Sequence, residues 1–194
     1  QYFDQDEFFS ELSRRVKVRT ESQIPDQQVN LFKYLEDEIA ASLVDLGFRY
    51  TIEQNPIEGG GPVLIAERVE DPSFTTVLTY GHGDVVRGYD DQWRQGLNPW
   101  ILTREGDRWF GRGTADNKGQ HTINLAALRC VLACRGCFGF NIKILIETGE
   151  EVGSLGLREI CAANKDRLAA DVFIASDGPR IAPAKPTVFM GSRG

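Results

Sequence analysis

No apolar run in these 194 residues approaches the ~18 to 20 needed to cross a bilayer, and no run of Lys or Arg offers a basic surface for phosphate. Residues 1–9 mix charges with aromatics where a secretory signal would carry an apolar block. These absences speak against a membrane or nucleic-acid partner and for a cytoplasmic protein. Internal repeats, low-complexity tracts and linkers are missing too, so the chain offers no seam at which to divide it. Histidine occurs only at His82 and His121.

What is present is ordinary for a globular domain: 41% apolar residues, 26% charged residues and a net charge of -6. A chain of about 100 to 200 residues can bury one substantial core, so a single α/β domain is expected. The acidic balance reads most simply as solubility. Cys130, Cys134 and Cys137 have spacings that suit a small metal site, but Cys130 and Cys134 also share a helical stripe with Ile123, Ala126, Ala127 and Val131. That stripe predicts burial in a core over ligation, while Cys161 lies in a separate helix and nothing suggests disulfide staples.

Helical spacing of Phe8, Phe9, Leu12 and Val16 predicts a first helix over residues 4–16, closed by the polar Thr20-Glu21-Ser22. Leu31, Leu35, Ile39 and Leu43 predict a second over residues 27–46, stopped by Gly47. Both are expected to cover a sheet. Strands are expected at residues 63–69, 75–80, 140–147 and 172–176, where near-continuous apolar character predicts burial on both faces. A hairpin is expected around Glu105-Gly106-Asp107, with Ile101 and Leu102 on one arm and Trp109 and Phe110 on the other. A well-buried central helix over 118–134, ended by Gly136, and a helix over 155–168 complete the pattern. The run Glu58-Gly59-Gly60-Gly61-Pro62 is a turn, because it lacks the Lys-Ser/Thr ending of a phosphate-binding loop.

Four short stretches place acids or a histidine just beyond strand-like runs: Tyr80-Gly81-His82-Gly83-Asp84, Gly111-Arg112-Gly113-Thr114-Ala115-Asp116-Asn117, Glu147-Thr148-Gly149-Glu150-Glu151 and Ala175-Ser176-Asp177-Gly178. Such side chains at the carboxyl ends of neighbouring strands are what a crevice needs to hold divalent zinc and activate water, so a metallohydrolase is expected. His82 is the best nitrogen donor. Asp84, two residues on in extended backbone, projects to the same face and can accept the imidazole's free N–H. Asp116 alone reads equally well as a helix cap, but among other acids its two oxygens can bridge a pair of cations. Glu150 and Glu151 are adjacent and cannot point the same way, which predicts divided labour: one binds metal and the other takes a proton from water as general base. Asp177, read alone, is a turn former before Gly178-Pro179.

Together these motifs resemble the di-zinc metallopeptidase family of aminoacylase, carboxypeptidase G, acetylornithine deacetylase and succinyl-diaminopimelate desuccinylase, over nearly the whole chain. The resemblance implies a three-layer α/β catalytic domain with a mostly parallel mixed sheet between helices, truncated before a lid domain. Residues 1–186 would be the N-terminal part of the catalytic domain, and residues 187–194 the start of the lid and dimerisation domain. It also implies that His82, Asp116 and Asp177 hold one zinc, that Asp116 bridges to a second zinc held by Glu151, that Asp84 supports His82, and that Glu150 is the general base. Co2+ or Mn2+ can occupy such mixed imidazole and carboxylate sites. A cis peptide at Asp116-Asn117 is implied as well. The substrate would be a small N-acyl amino acid or peptide whose amide is cleaved by metal-activated water, and the full-length protein would be a homodimer through the lid.

Members of that family take the last ligand of the second zinc, a His, from a later segment, and His121 is not expected to replace it. One site is therefore expected to be incomplete, the piece inactive or nearly so, and apolar surface left exposed. Two rival readings are a metal-binding or carrier domain without catalysis, which would have no use for Glu150 as a base, and a nucleotide-binding domain on Gly111-x-Gly113, which lacks a third glycine.

Overall fold

A computed structural model describes residues 2–178, 181, 182 and 184–189; of the expected lid entry, residues 190–194 lie outside the described residues. In chain order the strands are β1 (Arg49–Glu53), β2 (Val63–Arg68), β3 (Thr76–His82), β4 (Thr103–Glu105), β5 (Arg108–Phe110), β6 (Asn141–Glu147) and β7 (Val172–Ala175). β4 and β5 form the expected hairpin, and the other five make one sheet in the order β1-β2-β6-β3-β7. β2 runs antiparallel to both neighbours while β6, β3 and β7 are mutually parallel, so only β2 opposes the common direction.

The apolar runs of β2 and β6 are buried on both faces, whereas residues 76–80 of β3, between β6 and β7, are half-buried, short of the burial expected for that run. Leu64 and Ala66 of β2, with Ile142, Ile144 and Ile146 of β6, face the second and central helices. Val63, Ile65 and Leu145 face the opposite layer, where Ile160 of the Leu157–Ala163 helix covers them. Each such leucine, isoleucine or valine, fully removed from water, contributes roughly 1.5–3 kcal/mol. The result is the three-layer α/β arrangement, with a mixed sheet between helices.

The second helical run, residues 28–45, carries a π-helical middle at Tyr34–Ala40 and buries Leu31, Leu35, Ile39 and Leu43 as the stripe predicts. The central helix, Lys118–Arg135, ends where Gly136 takes the left-handed φ of 74° and donates its N–H to Leu132 O. The first helix, Glu7–Lys17, packs differently from expectation: Leu12 and Val16 meet Leu102 and Trp109 of the hairpin segment, not the main sheet. Its anchor to the helix layer is Arg15, fully buried, which donates to Glu11, Ser42 and Thr122.

Other expectations are corrected. Cys130, Cys134 and Cys137 are exposed, as are Ile123 and Ala127, because the central helix turns His121, Thr122, Leu125 and Ala126 to the core and its two cysteines away from it, so the expected stripe is split between core and solvent. β7 is exposed along its length, since only β3 pairs with it. β1 is an additional strand: Arg49–Glu53 is a largely polar edge strand without an apolar run, and Ile52 packs on the core. The helix expected over 155–168 is two pieces, Leu157–Ala163 and Lys165–Leu168, separated at Asn164.

Candidate functional site

Parallel register brings the functional residues to one rim. His82, the last residue of β3, lies beside Glu147, the last of β6, while Tyr80 pairs with Ala175 of β7 and so sets Asp177 at the same end. Both neighbours of His82 are glycines for a steric reason: a Cβ at residue 81 would lie 2.9 Å from Asn117 Oδ1, and one at residue 83 would lie 2.7 Å from the Tyr34 ring. The two close approaches pack His82 into complete burial.

The two ring nitrogens of His82 have different surroundings. Nδ1 lies 3.0 Å from the backbone oxygen of Asp84 and 3.3 Å from its carboxylate. Nε2 faces Asp116 Oδ1 at 3.0 Å, Asp177 Oδ2 at 3.8 Å and Glu150 Oε2 at 3.9 Å. Burial alone would lower the imidazole pKa, but the carboxylates of Asp84, Asp177 and Asp116 outweigh it and raise it to about 9. Asp84, itself buried, also accepts the backbone N–H groups of Glu150 and Glu151, one on each oxygen, at 3.2 and 3.1 Å. It therefore ties the turn after β6 to the histidine after β3.

Glu150 and Glu151 lie on a single turn of 3-10 helix between Gly149 and Gly153. Burial raises the carboxyl pKa of both; beyond that, the charge of Asp177 adds to Glu150 and that of Asp116 to Glu151, against the opposing pull of His82. Asp116 does not cap the central helix, whose first residue is Lys118 and whose N-cap, Asn117, makes no side-chain cap bond. The Asp116–Asn117 peptide is cis. Asp116 is 65% exposed at the side chain, so its carboxylate is open to solvent as well as to His82.

Three residues that sequence reasoning passed over organise this rim. Asn117 is fully buried; its Oδ1 accepts from the His82 backbone N–H and from His121 Nδ1, and its Nδ2 donates to Ser176 O. It thus joins the ends of β3 and β7 to the central helix. Tyr34 donates to His121 Nε2 at 2.6 Å, so both nitrogens of that second histidine are engaged away from the rim. Glu147 accepts from Tyr80 Oη at 2.6 Å and Ser154 Oγ at 2.9 Å. No local pattern marks these roles, because each depends on a partner tens of residues away.

Two groups emerge whose ligand atoms all lie within 4.8 Å of one another: His82 with Asp116 and Asp177, and His82 with Glu150 and Glu151. Five carboxylates converging on one imidazole repel one another unless positive charge lies among them. One nitrogen and several hard oxygens, with part of the rim open, is a donor set that suits a catalytic divalent ion such as zinc. His121 belongs to neither group among the described residues.

A layered α/β domain with this acid and imidazole cluster at the carboxyl ends of its parallel strands presents a candidate metal centre. A sequence model of peptidase family M20/M25/M40 matches residues 78–187, and the chain belongs to that family. It is 34% identical over 212 residues to human Beta-Ala-His dipeptidase, covering all of this chain and 41% of that protein. It is 27% identical to the Cys-Gly metallodipeptidase DUG1 of Saccharomyces cerevisiae, covering 97% of this chain and 42% of the relative. Among solved structures, human carnosine dipeptidase 1 superposes with a TM-score of 0.82 at 33% identity, covering 93% of this chain and 41% of that one. The M20 family metallo-carboxypeptidase Sso-CP2 of Sulfolobus solfataricus gives 0.74 at 29% identity, covering 88% of this chain and 37% of the other. The chain thus spans about two fifths of the length of the relatives it matches.

Proposed function

We propose that these residues form the N-terminal part, residues 1–186, of the catalytic domain of a zinc-dependent dipeptidase, with residues 187–194 entering a lid and dimerisation domain. The observation that carries the reading is Nε2 of His82, directed at Asp116, Asp177 and Glu150 while Nδ1 is committed to Asp84. His82, Asp116 and Asp177 would hold one divalent ion, and Asp116 would share a second with Glu151. A divalent ion bound there lowers the pKa of a coordinated water to around 7 and polarises a carbonyl.

The remaining steps belong to the chain. Glu150 takes the proton from the attacking water and passes it to the leaving amine, a task served by a carboxyl whose pKa burial has raised. Asp84 holds the His82 tautomer through Nδ1 and keeps the Glu150 backbone in place. The relatives named as dipeptidases favour a dipeptide over an N-acyl amino acid as substrate. Because only His82 is free to serve as an imidazole ligand, the Glu151 position needs another ligand from outside these residues. The 194-residue chain alone is therefore inactive or nearly so. The net charge of -6 is in keeping with a cytoplasmic enzyme, and the full-length protein would be a homodimer through the lid.

The test is a panel of dipeptides and N-acyl amino acids assayed with the full-length protein and its metal content measured. Glu150→Gln should keep bound metal and lose turnover. Retained turnover would remove Glu150 from the mechanism, and a metal-loaded wild type without hydrolysis would favour a binding domain.

A further inference from the structure

The turn that carries Glu150 and Glu151 is gripped at both ends by buried carboxylates, of which the proposed reaction uses only Asp84. At the entry, Asp84 accepts the N–H groups of Glu150 and Glu151. At the exit, Ser154 Oγ donates to Glu147 Oε1 at 2.9 Å, and the same oxygen takes the Tyr80 hydroxyl at 2.6 Å. Glu147 is 2% exposed and belongs to no group of candidate ligands among the described residues. Its position as the last residue of β6, in register with His82, makes it a fixed point of the sheet.

The turn between these grips closes on itself. Val152 and Ser154 donate their N–H groups to Gly149 O at 3.2 and 2.7 Å, and Gly153 donates to Glu150 O at 2.9 Å. Gly153 and then Ser154 take left-handed φ values of 87° and 53°. Glycine adopts that conformation freely, whereas a serine there is disfavoured unless its side chain is used. The hydroxyl on Glu147 is that use, and it sets where the turn leaves the rim.

We infer that Glu147 and Ser154 are positioning residues: through their hydrogen bond they hold the Glu150–Glu151 turn against Asp84 and so set the geometry of the metal position that Glu151 serves. This rests on the proposed metallopeptidase function for its consequence but on the hydrogen bonds alone for its geometry. Glu147 is outside both groups of candidate ligands among the described residues, and Ser154 spends its hydroxyl on Glu147. The effect falls mainly on Glu151, because the His82, Asp116 and Asp177 group hangs on β3, β7 and Asn117 and meets the turn only through Asp84.

The test uses the full-length protein, apo and titrated with Co2+ followed by absorption, in wild type, Ser154→Ala and Glu147→Gln. Alanine keeps the Cβ and its backbone constraint, so it reports the hydroxyl. In Ser154→Ala the first Co2+ equivalent should bind as in wild type and the second about tenfold to a hundredfold more weakly, the usual loss when a ligand's hydrogen-bonded support is removed. Glu147→Gln keeps an acceptor oxygen and should behave as wild type. Amide exchange of the apo protein should be faster at Glu150 and Glu151 in Ser154→Ala and unchanged at His82. Unaltered exchange there, or an unaltered second equivalent in a wild type that binds two, overturns the inference. A wild type that binds no Co2+ overturns the proposed function instead, while the exchange result still decides the positioning.

Discussion

The hydroxyl of Tyr34 donates to Nε2 of His121 across 2.6 Å, in a pair buried between the second and central helices. With Nδ1 facing Asn117 Oδ1, the imidazole is held neutral, as the Nδ1–H tautomer. Burial, followed by the charges of Arg15, His82 and Lys118, pushes its pKa well below 6.5. The unfolded chain takes up a proton below the ordinary value of ~6.5 while the native imidazole does not, so this stability is complete above that pH and lost as pH falls. The loss should approach about 1.4 kcal/mol per pH unit. His82 runs the other way in metal-free protein: raised to about 9, its contribution is complete below 6.5 and lost as pH rises through about 9. His121→Gln should therefore flatten the acid limb alone, as read from urea midpoints between pH 5 and 7; parallel limbs would show that His121 is not neutral in the fold.

Gly83→Ala tests how tightly His82 is packed. The new methyl would lie 2.7 Å from the Tyr34 ring, which is fully buried and has nowhere to retreat. Overpacking of this kind costs roughly 1–3 kcal/mol, and the shift should also displace His82 and weaken metal binding. Gly106→Ala is the matching control: its φ of 58° carries backbone strain, but nothing lies within 4 Å of the added methyl. Thermal melts with and without added zinc separate the two, and a metal-dependent loss confined to Gly83→Ala is the expected result.

The candidate ligands were legible in the sequence because each sits beside a local signal. His82 follows an apolar run, Asp116 follows Gly111 and Gly113, and Glu150 and Glu151 follow the β6 run. The central strands were legible for the same reason. What eluded the sequence depends on which side of an element meets a partner. The central helix has apolar residues all round, so its stripe could not say whether Leu125 or Cys130 faces inward; the answer came from the sheet it lies on. Asn117, Tyr34 and Glu147 act through contacts 35, 87 and 67 residues away in sequence, beyond any spacing rule.

Arg15 should be costly to remove by itself. It donates to Thr122 at 2.6 Å, Glu11 at 2.6 Å and Ser42 at 2.9 Å, and it is completely buried. Arg15→Met would leave the Glu11 carboxylate in the interior without its main counter-charge, a loss of about 3–5 kcal/mol when one partner of a buried pair is deleted. Replacing both, as Arg15→Met with Glu11→Leu, removes the stranded charge and should recover much of that loss. Denaturant titration of both variants and of Glu11→Leu closes the cycle, and a double variant as weak as Arg15→Met would show that packing of the arginine stem dominates over its charge.

The cysteines give the sharpest contrast between periodicity and packing. A core stripe through Cys130 and Cys134 would make both thiols unreactive until the protein unfolds. The structure exposes Cys130, Cys134 and Cys137 and leaves only Cys161 partly covered, with its thiol pKa raised by burial and then by the charge of Glu147. Because the thiolate is the reactive form, exposure and pKa act in the same direction here. Under native conditions a disulfide-exchange reagent such as DTNB should react quickly with three thiols of the 194-residue chain and slowly with the fourth, and Cys161→Ala should abolish only the slow phase. A single fast equivalent would contradict the orientation of the central helix, and four alike would contradict the partial cover of Cys161.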